Sequence, residues 1–170
     1  MELRDEELLL RPPTEADAPA VTAACQDPEL ARFIPGFPSP YAEEHARAWI
    51  AAGGRTRASR TFLIVDATTD DLYGAVEVRL GETGSIGYWV ANGARGRGIA
   101  TRATTLLARW AVTEGGVQRL ELTTHPDNLA SQRVAEKAGF TREGVLRSHA
   151  RFREGRRDSV MFSLLPADLA

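Results

Sequence analysis

The sequence predicts a mixed α/β (α+β) protein: a mostly antiparallel sheet of about six or seven strands, four helices on its faces, and one strand–helix–strand crossover near its centre. Three observations predict it. Between residues 61 and 90, three β-branched or aromatic runs are separated only by short polar turns, as an antiparallel meander requires. From Ile99 the apolar residues recur at helical spacing and a further strand follows, so the strands flanking that helix should run parallel. No repeat, low-complexity tract or linker interrupts the 170 residues, 43% hydrophobic and 26% charged, so residues 1–170 are expected to form one domain.

The elements follow in order. Glu7 to Arg11 is a short apolar strand stopped by Pro12-Pro13. Thr14 and Asp17 have capping-box spacing and open a helix over Glu15 to Gln26, which Pro28 ends. A Pro-rich loop (Pro35, Pro38, Pro40) leads to a second helix from about Ala42 to Ala52, closed by Gly53-Gly54. Thr61 to Asp66, Tyr73 to Leu80 and Ser85 to Val90 are the meander, with turns at Thr69-Asp70-Asp71 and Gly81 to Gly84. Ile99, Ala103, Leu106, Leu107, Trp110 and Ala111 form the apolar stripe of the third helix, and Gly115-Gly116 stops it before the strand Arg119 to Thr124. A short helix from about Leu129 to Ala138 ends at Gly139, and two last strands, about Val145 to Arg151 and Asp158 to Leu164, flank a Glu154-Gly155 turn.

Charge and cysteine content exclude several classes. With 21 basic and 23 acidic residues the formal charge is −2, so no global field draws nucleic acid or an anionic membrane. The single cysteine, Cys25, excludes an internal disulfide and every zinc site needing two thiolates. His45, His125 and His149 show no ligand spacing, so no metal is expected. Glu2, Asp5, Glu6 and Glu7 stand where a signal peptide would be positive, and no apolar run approaches the ~20 residues of a membrane span. The expectation is a soluble cytoplasmic protein, free of nucleic acid and membrane; a homodimer is an open assembly state. Every basic residue but Lys137 is arginine, so only the placement of arginines is informative.

One segment breaks the rules of helix termini. Asn92-Gly93-Ala94-Arg95-Gly96-Arg97-Gly98-Ile99-Ala100-Thr101-Arg102 joins a strand to a helix, and from Thr83 to Thr113 there are four arginines and no carboxylate. Helix N-termini carry partial positive charge and favour acidic residues, whereas three arginines crowd this one. An anion docked there removes the conflict, because glycines let backbone N–H groups approach phosphate oxygens and arginines add charge-assisted bonds. A phosphate or pyrophosphate site at Arg95, Gly96, Arg97, Gly98, Ile99 and Ala100 is expected; the alternative is a solvated turn in an arginine-rich chain. Gly93 and Gly98 have P-loop spacing, but Ile99-Ala100 replace the Lys and Ser/Thr that ATP chemistry needs. A dinucleotide fingerprint from Gly96 would need Gly or Ala where Thr101 stands.

Arg95-Gly96-Arg97-Gly98-Ile99-Ala100 resembles the (Gln/Arg)-x-x-Gly-x-(Gly/Ala) signature of the GNAT N-acetyltransferase superfamily, whose loop holds the pyrophosphate of acetyl-coenzyme A. A second block, Asn128-Leu129-Ala130-Ser131, Val134, Glu136 to Phe140 and Glu143-Gly144, is similar to the RimJ/RimL branch, as is Gly87-Tyr88-Trp89-Val90; that branch acetylates α-amino groups, notably of ribosomal proteins. The resemblance covers essentially the whole chain. It implies the GNAT fold, acetyl-CoA as cosubstrate, no metal, and direct attack by an amine with no covalent enzyme intermediate. It also implies that the central strands Ser85 to Val90 and Arg119 to Thr124 splay to admit the pantetheine arm, with backbone groups of Trp89, Val90 and Ala91 along it.

The departing thiolate needs a hydrogen-bond donor. The tyrosine that many family members place on the last helix aligns with Ala135 here, and the Asn-x-x-Ser variant of the branch assigns the role to Ser131, with Asn128 holding the coenzyme. On propensity alone Asn128 is a helix cap and Ser131 a first-turn residue. Glu77, alternating with Val76 and Val78, and His149 are candidate bases; each also reads as an ordinary strand residue. Phe33, Phe37 and Tyr41 in the Pro-rich loop are candidates to cover an amine acceptor, or plain loop anchors; Trp49, Trp89 and Trp110 read as packing. Three functions stay open: acetylation of a protein or peptide N-terminus, acetylation of an antibiotic or metabolite amine, and a non-catalytic acyl-CoA-binding regulatory module.

Overall fold

In a computed structural model, which describes residues 1–53 and 58–169, eight strands form one sheet. The strands are β1 (Leu3–Arg4), β2 (Leu8–Arg11), β3 (Ser59–Asp66), β4 (Leu72–Arg79), β5 (Thr83–Val90), β6 (Arg119–Thr124), β7 (Thr141–Phe152) and β8 (Gly155–Leu164). Their spatial order is β1-β2-β3-β4-β5-β6-β8-β7, and every neighbouring pair is antiparallel except β5 with β6. The expected meander and parallel crossover are both present. The sheet gains one strand over expectation because the two residues of β1 pair with Leu9 and Leu10 of β2, too short a run to leave a period in the sequence.

Five helices cover the sheet rather than four: α1 (Ala18–Ala24), α2 (Pro28–Phe33), α3 (Glu43–Ala52), α4 (Ile99–Thr113) and α5 (Leu129–Lys137). The difference lies at Pro28, which ends one helix and starts the next. Asp27 caps α2 by accepting the Glu29 N–H at 3.0 Å, and Pro28 takes the first helical position, where its missing N–H costs nothing. Before α1, residues 15–17 form a 3-10 turn whose Asp17 carboxylate accepts the Thr14 N–H at 2.7 Å. At α3 the capping group is His45, whose Nδ1 accepts the Ala42 N–H at 2.9 Å. Of the expected Gly53-Gly54 stop, Gly53 donates to Trp49 O at 2.9 Å in an extended conformation, and Gly54 lies outside the described residues.

Two apolar layers sandwich the sheet. On one face α4 and α5 pack Ile99, Ala103, Leu107, Ala111 and Ala135 against Ile64, Val76, Val78, Ile86, Leu120 and Leu122. On the other, α1, α2 and α3 pack Val21, Cys25, Leu30, Ala46 and Ile50 against Leu63, Val65 and Ala75. Strand alternation sends neighbouring residues to opposite layers. Thus on β4 Val76 and Val78 face α4, whereas Ala75, Glu77 and Arg79 belong to the face of α1 and α3.

Candidate active site

The sheet is whole everywhere but at its centre. β5 and β6 pair at only three positions, Thr83↔Arg119, Gly84↔Leu120 and Ser85↔Glu121. Beyond them β5 stays with β4 as far as Gly74↔Val90, while β6 stays with β8 as far as Thr124↔Val160. Each strand therefore has an edge with no strand partner in the middle of the sheet. Main-chain donors and acceptors in such a position call for a partner from outside the sheet. The edge is not uniformly free. Ala91 N–H donates to Tyr73 O at 2.8 Å, and Val90 O accepts Arg95 Nε at 3.2 Å. Alternation turns the main-chain groups of Trp89 to β4 as well and leaves those of Tyr88 and the Val90 N–H on the open edge. Gly74 makes the close β4–β5 approach practicable: a Cβ there would stand 2.2 Å from Trp89 O.

At the C-terminal end of β5 the chain makes a 3-10 turn over residues 92–94 and enters α4 through Gly96 and Gly98, both at φ +75°. That left-handed conformation favours glycine, and a Cβ at either position would meet nothing within 4 Å. Gly98 caps α4 without any side-chain hydrogen bond, and Arg102 is the first residue whose N–H bonds back, to Gly98 O at 3.1 Å. Among the described residues, no carbonyl or side chain accepts from the N–H groups of residues 96–101. They converge at the positive end of a 15-residue helix.

The crowded arginines are less available than their sequence suggests. Arg95 Nη2 lies 2.6 Å from Asp27 Oδ2, and Arg102 is bound by Asp5 at 2.7 Å and by Glu7. Carboxylates from distant segments thus neutralise two of the three. Of the three, Arg97 has no carboxylate partner among the described residues; it stacks on Tyr73, 4.8 Å from the ring centroid.

Behind the open edge, Asn128 caps α5 by accepting the Ser131 N–H at 3.0 Å, so the structural reading of that pair holds as geometry. Ser131 Oγ stands 2.8 Å from the hydroxyl of Tyr88 on β5, linking strand and helix across the split. Burial pushes the Tyr88 phenol up to about 12, although the hydrogen bond to Ser131 pulls the other way. Ala135 is fully buried in the core. Thr124, at the end of β6, is 5% exposed and its hydroxyl has no partner, an orphan within the split.

The split opens into a cleft of about 820 Å³ on the α1–α3 face. Its floor carries Glu77, Arg79, Ser85, Trp89, Glu121 and Thr123, and Asn128 and Ser131 border it. Glu77 is half-buried and has no hydrogen-bond or ion-pair partner among the described residues. Glu121 is tied to Arg119 at 2.9 Å. His149 reaches the cleft from a bulge in β7, where the β7–β8 register shifts between Leu146 and Ala150 and Ser148 takes φ +53°. Asp158 holds this bulge by accepting the Ser148 N–H at 2.7 Å, Arg156 binds the Ser148 and His149 carbonyls, and Ser159 Oγ lies 3.1 Å from His149 Nδ1.

Aromatic groups make the walls. Phe37 stacks on Tyr41 at 5.1 Å, Tyr41 contacts His45 at 5.5 Å, and Phe33 contacts His125 at 5.5 Å, with Phe152 edge-on to His125 at 5.7 Å. The β7–β8 hairpin meets the 33–41 loop where Arg153 donates to Ser39 O at 3.5 Å.

One cleft therefore gathers Phe33, Phe37, Tyr41, Glu77, Trp89, Asn128, Ser131 and His149. Val90, Ala91 and the loop Arg95 to Ala100 lie beyond it, at the C-terminal end of β5. Trp49, Trp89 and Trp110 all pack against the two core layers as expected, and Trp49 and Trp89 line the cleft besides. Sequence reasoning missed Tyr88, His125 and Thr124. His125 was findable, because it directly follows the parallel strand β6, and ligands gather beyond the carboxyl ends of parallel strands. Among the described residues no cluster of His, Cys, Asp or Glu is arranged to hold a metal, and no helix is long and apolar enough to cross a membrane.

Known proteins resemble this chain in sequence and in fold. Residues 7–141 match the family model described as an acetyltransferase (GNAT) domain. The chain is 35% identical over 112 residues to a Bacillus subtilis protein named "Probable N-acetyltransferase YjcK"; the match covers 63% of this chain and 62% of that protein, just under two thirds of its length. It is 32% identical over 82 residues to the ribosomal-protein-serine acetyltransferase of Escherichia coli, 46% of each. The solved structure of Mycobacterium smegmatis RimJ in complex with CoA-disulfide superposes with a TM-score of 0.87 at 24% identity, over 99% of this chain and 88% of that one. With a split central strand pair, a glycine-lined helix N-terminus and a family match over most of its length, the chain belongs to the GNAT acetyltransferase family.

Proposed function

We propose that the protein transfers the acetyl group of acetyl-CoA to the α-amino group of a protein or peptide N-terminus. The observation that carries this reading is the central split: an unpartnered donor cradle lies at the C-terminal end of one of its strands and a partner-free carboxylate, Glu77, lies on the cleft into which it opens. Three features of the chain fit acetyl-CoA. The free N–H groups of residues 96–101 with Arg97 suit a pyrophosphate, the open edge of β5 suits the amides of a pantetheine arm, and the orphan Thr124 hydroxyl stands within the split.

The chain's own groups divide the work. Residues Arg95 to Ala100 hold the pyrophosphate, mostly through main chain, with the Arg95 side chain bracing the loop against Asp27. Of the main chain at Trp89, Val90 and Ala91, the Val90 N–H faces the split, and with the Tyr88 main-chain groups and the Asn128 side chain it aligns the arm. Glu77 accepts the proton that the amine sheds through water, and His149 completes the polar wall on the hairpin side. The amine nitrogen bonds to the acetyl carbon, the carbon–sulfur bond breaks, and the sulfur leaves with the electron pair. Ser131 donates a hydrogen bond to that sulfur. A peptide α-amine, with a pKa near 7.7 to 8.0, is partly neutral at physiological pH and needs only a modest base, whereas a lysine near 10.4 needs more. Phe33, Phe37 and Tyr41 cover the residue that carries the amine. The E. coli relative is named for a ribosomal-protein serine, which supports a protein acceptor.

The test is release of free CoA thiol with peptides bearing a free α-amine, the same peptides blocked at the α-amine but carrying lysine, and a panel of small amines, with the acetyl group mapped by mass spectrometry. Turnover confined to free α-amines is expected. Turnover on small amines with none on peptides would move the reading to a metabolite acetyltransferase, and acetyl-CoA binding without turnover to a regulatory module.

A further inference from the structure

We propose that Tyr88 is a positioning residue which, by donating its hydroxyl proton to Ser131 Oγ, keeps the Ser131 hydroxyl as a donor toward the leaving sulfur. The inference rests on the role given to Ser131 above and adds the group that makes that role directional.

A serine hydroxyl carries one proton and two acceptor lone pairs, and it rotates to suit its neighbours. Within a helix a serine often spends that proton on the carbonyl four residues back. Ser131 does not: its Oγ contacts Tyr88, and among the described residues no backbone carbonyl accepts from it. Tyr88 Oη lies 2.8 Å from Ser131 Oγ, a geometry that admits either hydroxyl as donor, and 3.5 Å from Ser131 O, the far limit of a hydrogen bond. Acidity sets the direction: a phenol is a far stronger acid than an aliphatic alcohol, so the Tyr88 O–H is the better donor and Ser131 Oγ the better acceptor. The proton of Ser131 is then surplus to the protein and free for a group in the split.

Two further facts fix the arrangement. Asn128 takes the Ser131 N–H at 3.0 Å, which locks the turn that carries the hydroxyl. Tyr88 sits on β5 opposite Val76, where both edges of its strand are set by the close β4 pairing on one side and the split on the other. The phenol, held up to about 12 by burial, stays protonated at every working pH and so remains the donor. It yields no proton: a thiol like that of cysteine, near pH 8.5, is the stronger acid, so the sulfur leaves as a thiolate stabilised by a chain of two hydrogen bonds. The proton shed by the amine passes to Glu77 and solvent, and the balance closes without an oxidant or a further co-reactant.

The experiment compares Tyr88→Phe, Ser131→Ala and the double variant, with kcat and the KM for acetyl-CoA measured separately and the melting midpoint of each recorded. Acetyl-CoA hydrolysis without amine, which expels the same thiolate, is read alongside. Ser131→Ala should lower kcat by about a hundredfold. Tyr88→Phe keeps the ring and should lower kcat by about tenfold while leaving the KM for acetyl-CoA within about twofold. The double variant should match Ser131→Ala, since Tyr88 acts only through Ser131. A packing role for Tyr88 would instead give losses that multiply, or a fall in midpoint with little change in kcat; either overturns the inference. So does an unchanged kcat in Tyr88→Phe beside a depressed Ser131→Ala. Full kcat in Ser131→Ala would overturn the leaving-group reading itself.

Discussion

The two sides of the central split are made of different material. On the side proposed to take the coenzyme the available groups are main chain: N–H groups of residues 96–101, two left-handed glycines, and the free edge of β5. On the side proposed for the acceptor they are side chains delivered by separate segments: Phe33 from the end of α2, Phe37 from the loop that follows it, Glu77 from β4, His125 from just after β6, His149 from a bulge in β7. Main-chain sites are local in sequence and tolerate almost any side chain that avoids them. Side-chain clefts need long-range assembly and can change their specificity residue by residue. Under the proposed function, one transfer chemistry on the main-chain side can thus serve different acceptors on the other.

Four substitutions break or sharpen this contrast. The largest effect is expected from Glu77→Gln, which removes the partner-free carboxylate of the cleft: kcat should fall by about a hundredfold with acetyl-CoA affinity intact. Equal kcat would move the base to His149. Next is Gly98→Val, which puts a β-branched residue at φ +75° and a side chain before the free N–H groups; calorimetry should show acetyl-CoA binding weaker by about thirtyfold, with acceptor KM unaffected. Phe37→Ala reverses that pattern, raising acceptor KM by about fivefold and sparing acetyl-CoA.

The smallest effect lies at the closed end of the split. There Arg119 binds Glu143 at 2.6 Å and Glu121 at 2.9 Å, and Arg119 with Ser163 lowers the Glu143 pKa to about 2 from 4.5. Because the unfolded chain takes up that proton first, the stabilisation is fully present above pH 4.5 and is lost as pH falls toward 2. Arg119→Met should flatten the acid limb of a stability–pH curve over that window. The pair is exposed, so an unchanged curve would mean that solvent screening has removed its contribution.

Legibility in the sequence follows the same division. The meander, the crossover and the Arg95 to Ala100 loop could be read because periodicity, turn chemistry and glycine placement are local. The partners of the loop arginines could not: Asp5 lies 97 residues from Arg102, and Asp27 belongs to a helix start disguised by Pro28. The arginine excess at the helix start therefore overstated the local charge, while the glycines of the loop do take the left-handed conformation that leaves its N–H groups exposed. Phe37 and Tyr41 were legible as aromatics on a loop, whereas Phe33 is the last residue of α2, and its contact with His125, far along the chain, left no local signal. Tyr88 escaped because alternation alone places it on the face opposite Glu77, and only the position of α5 shows that Ser131 meets it there.

The most direct test of the account is thermal melting of the protein with acetyl-CoA, ATP or NAD. Ligand at ~100 times its dissociation constant adds about 2.7 kcal/mol, which for a chain of this size should raise the midpoint by roughly 5 to 11 °C. A rise with acetyl-CoA that is absent with ATP and NAD, and lost in Gly98→Val, is the predicted result. No rise with acetyl-CoA, or an equal rise in the Gly98→Val variant, would contradict the main-chain cradle on which the functional reading stands.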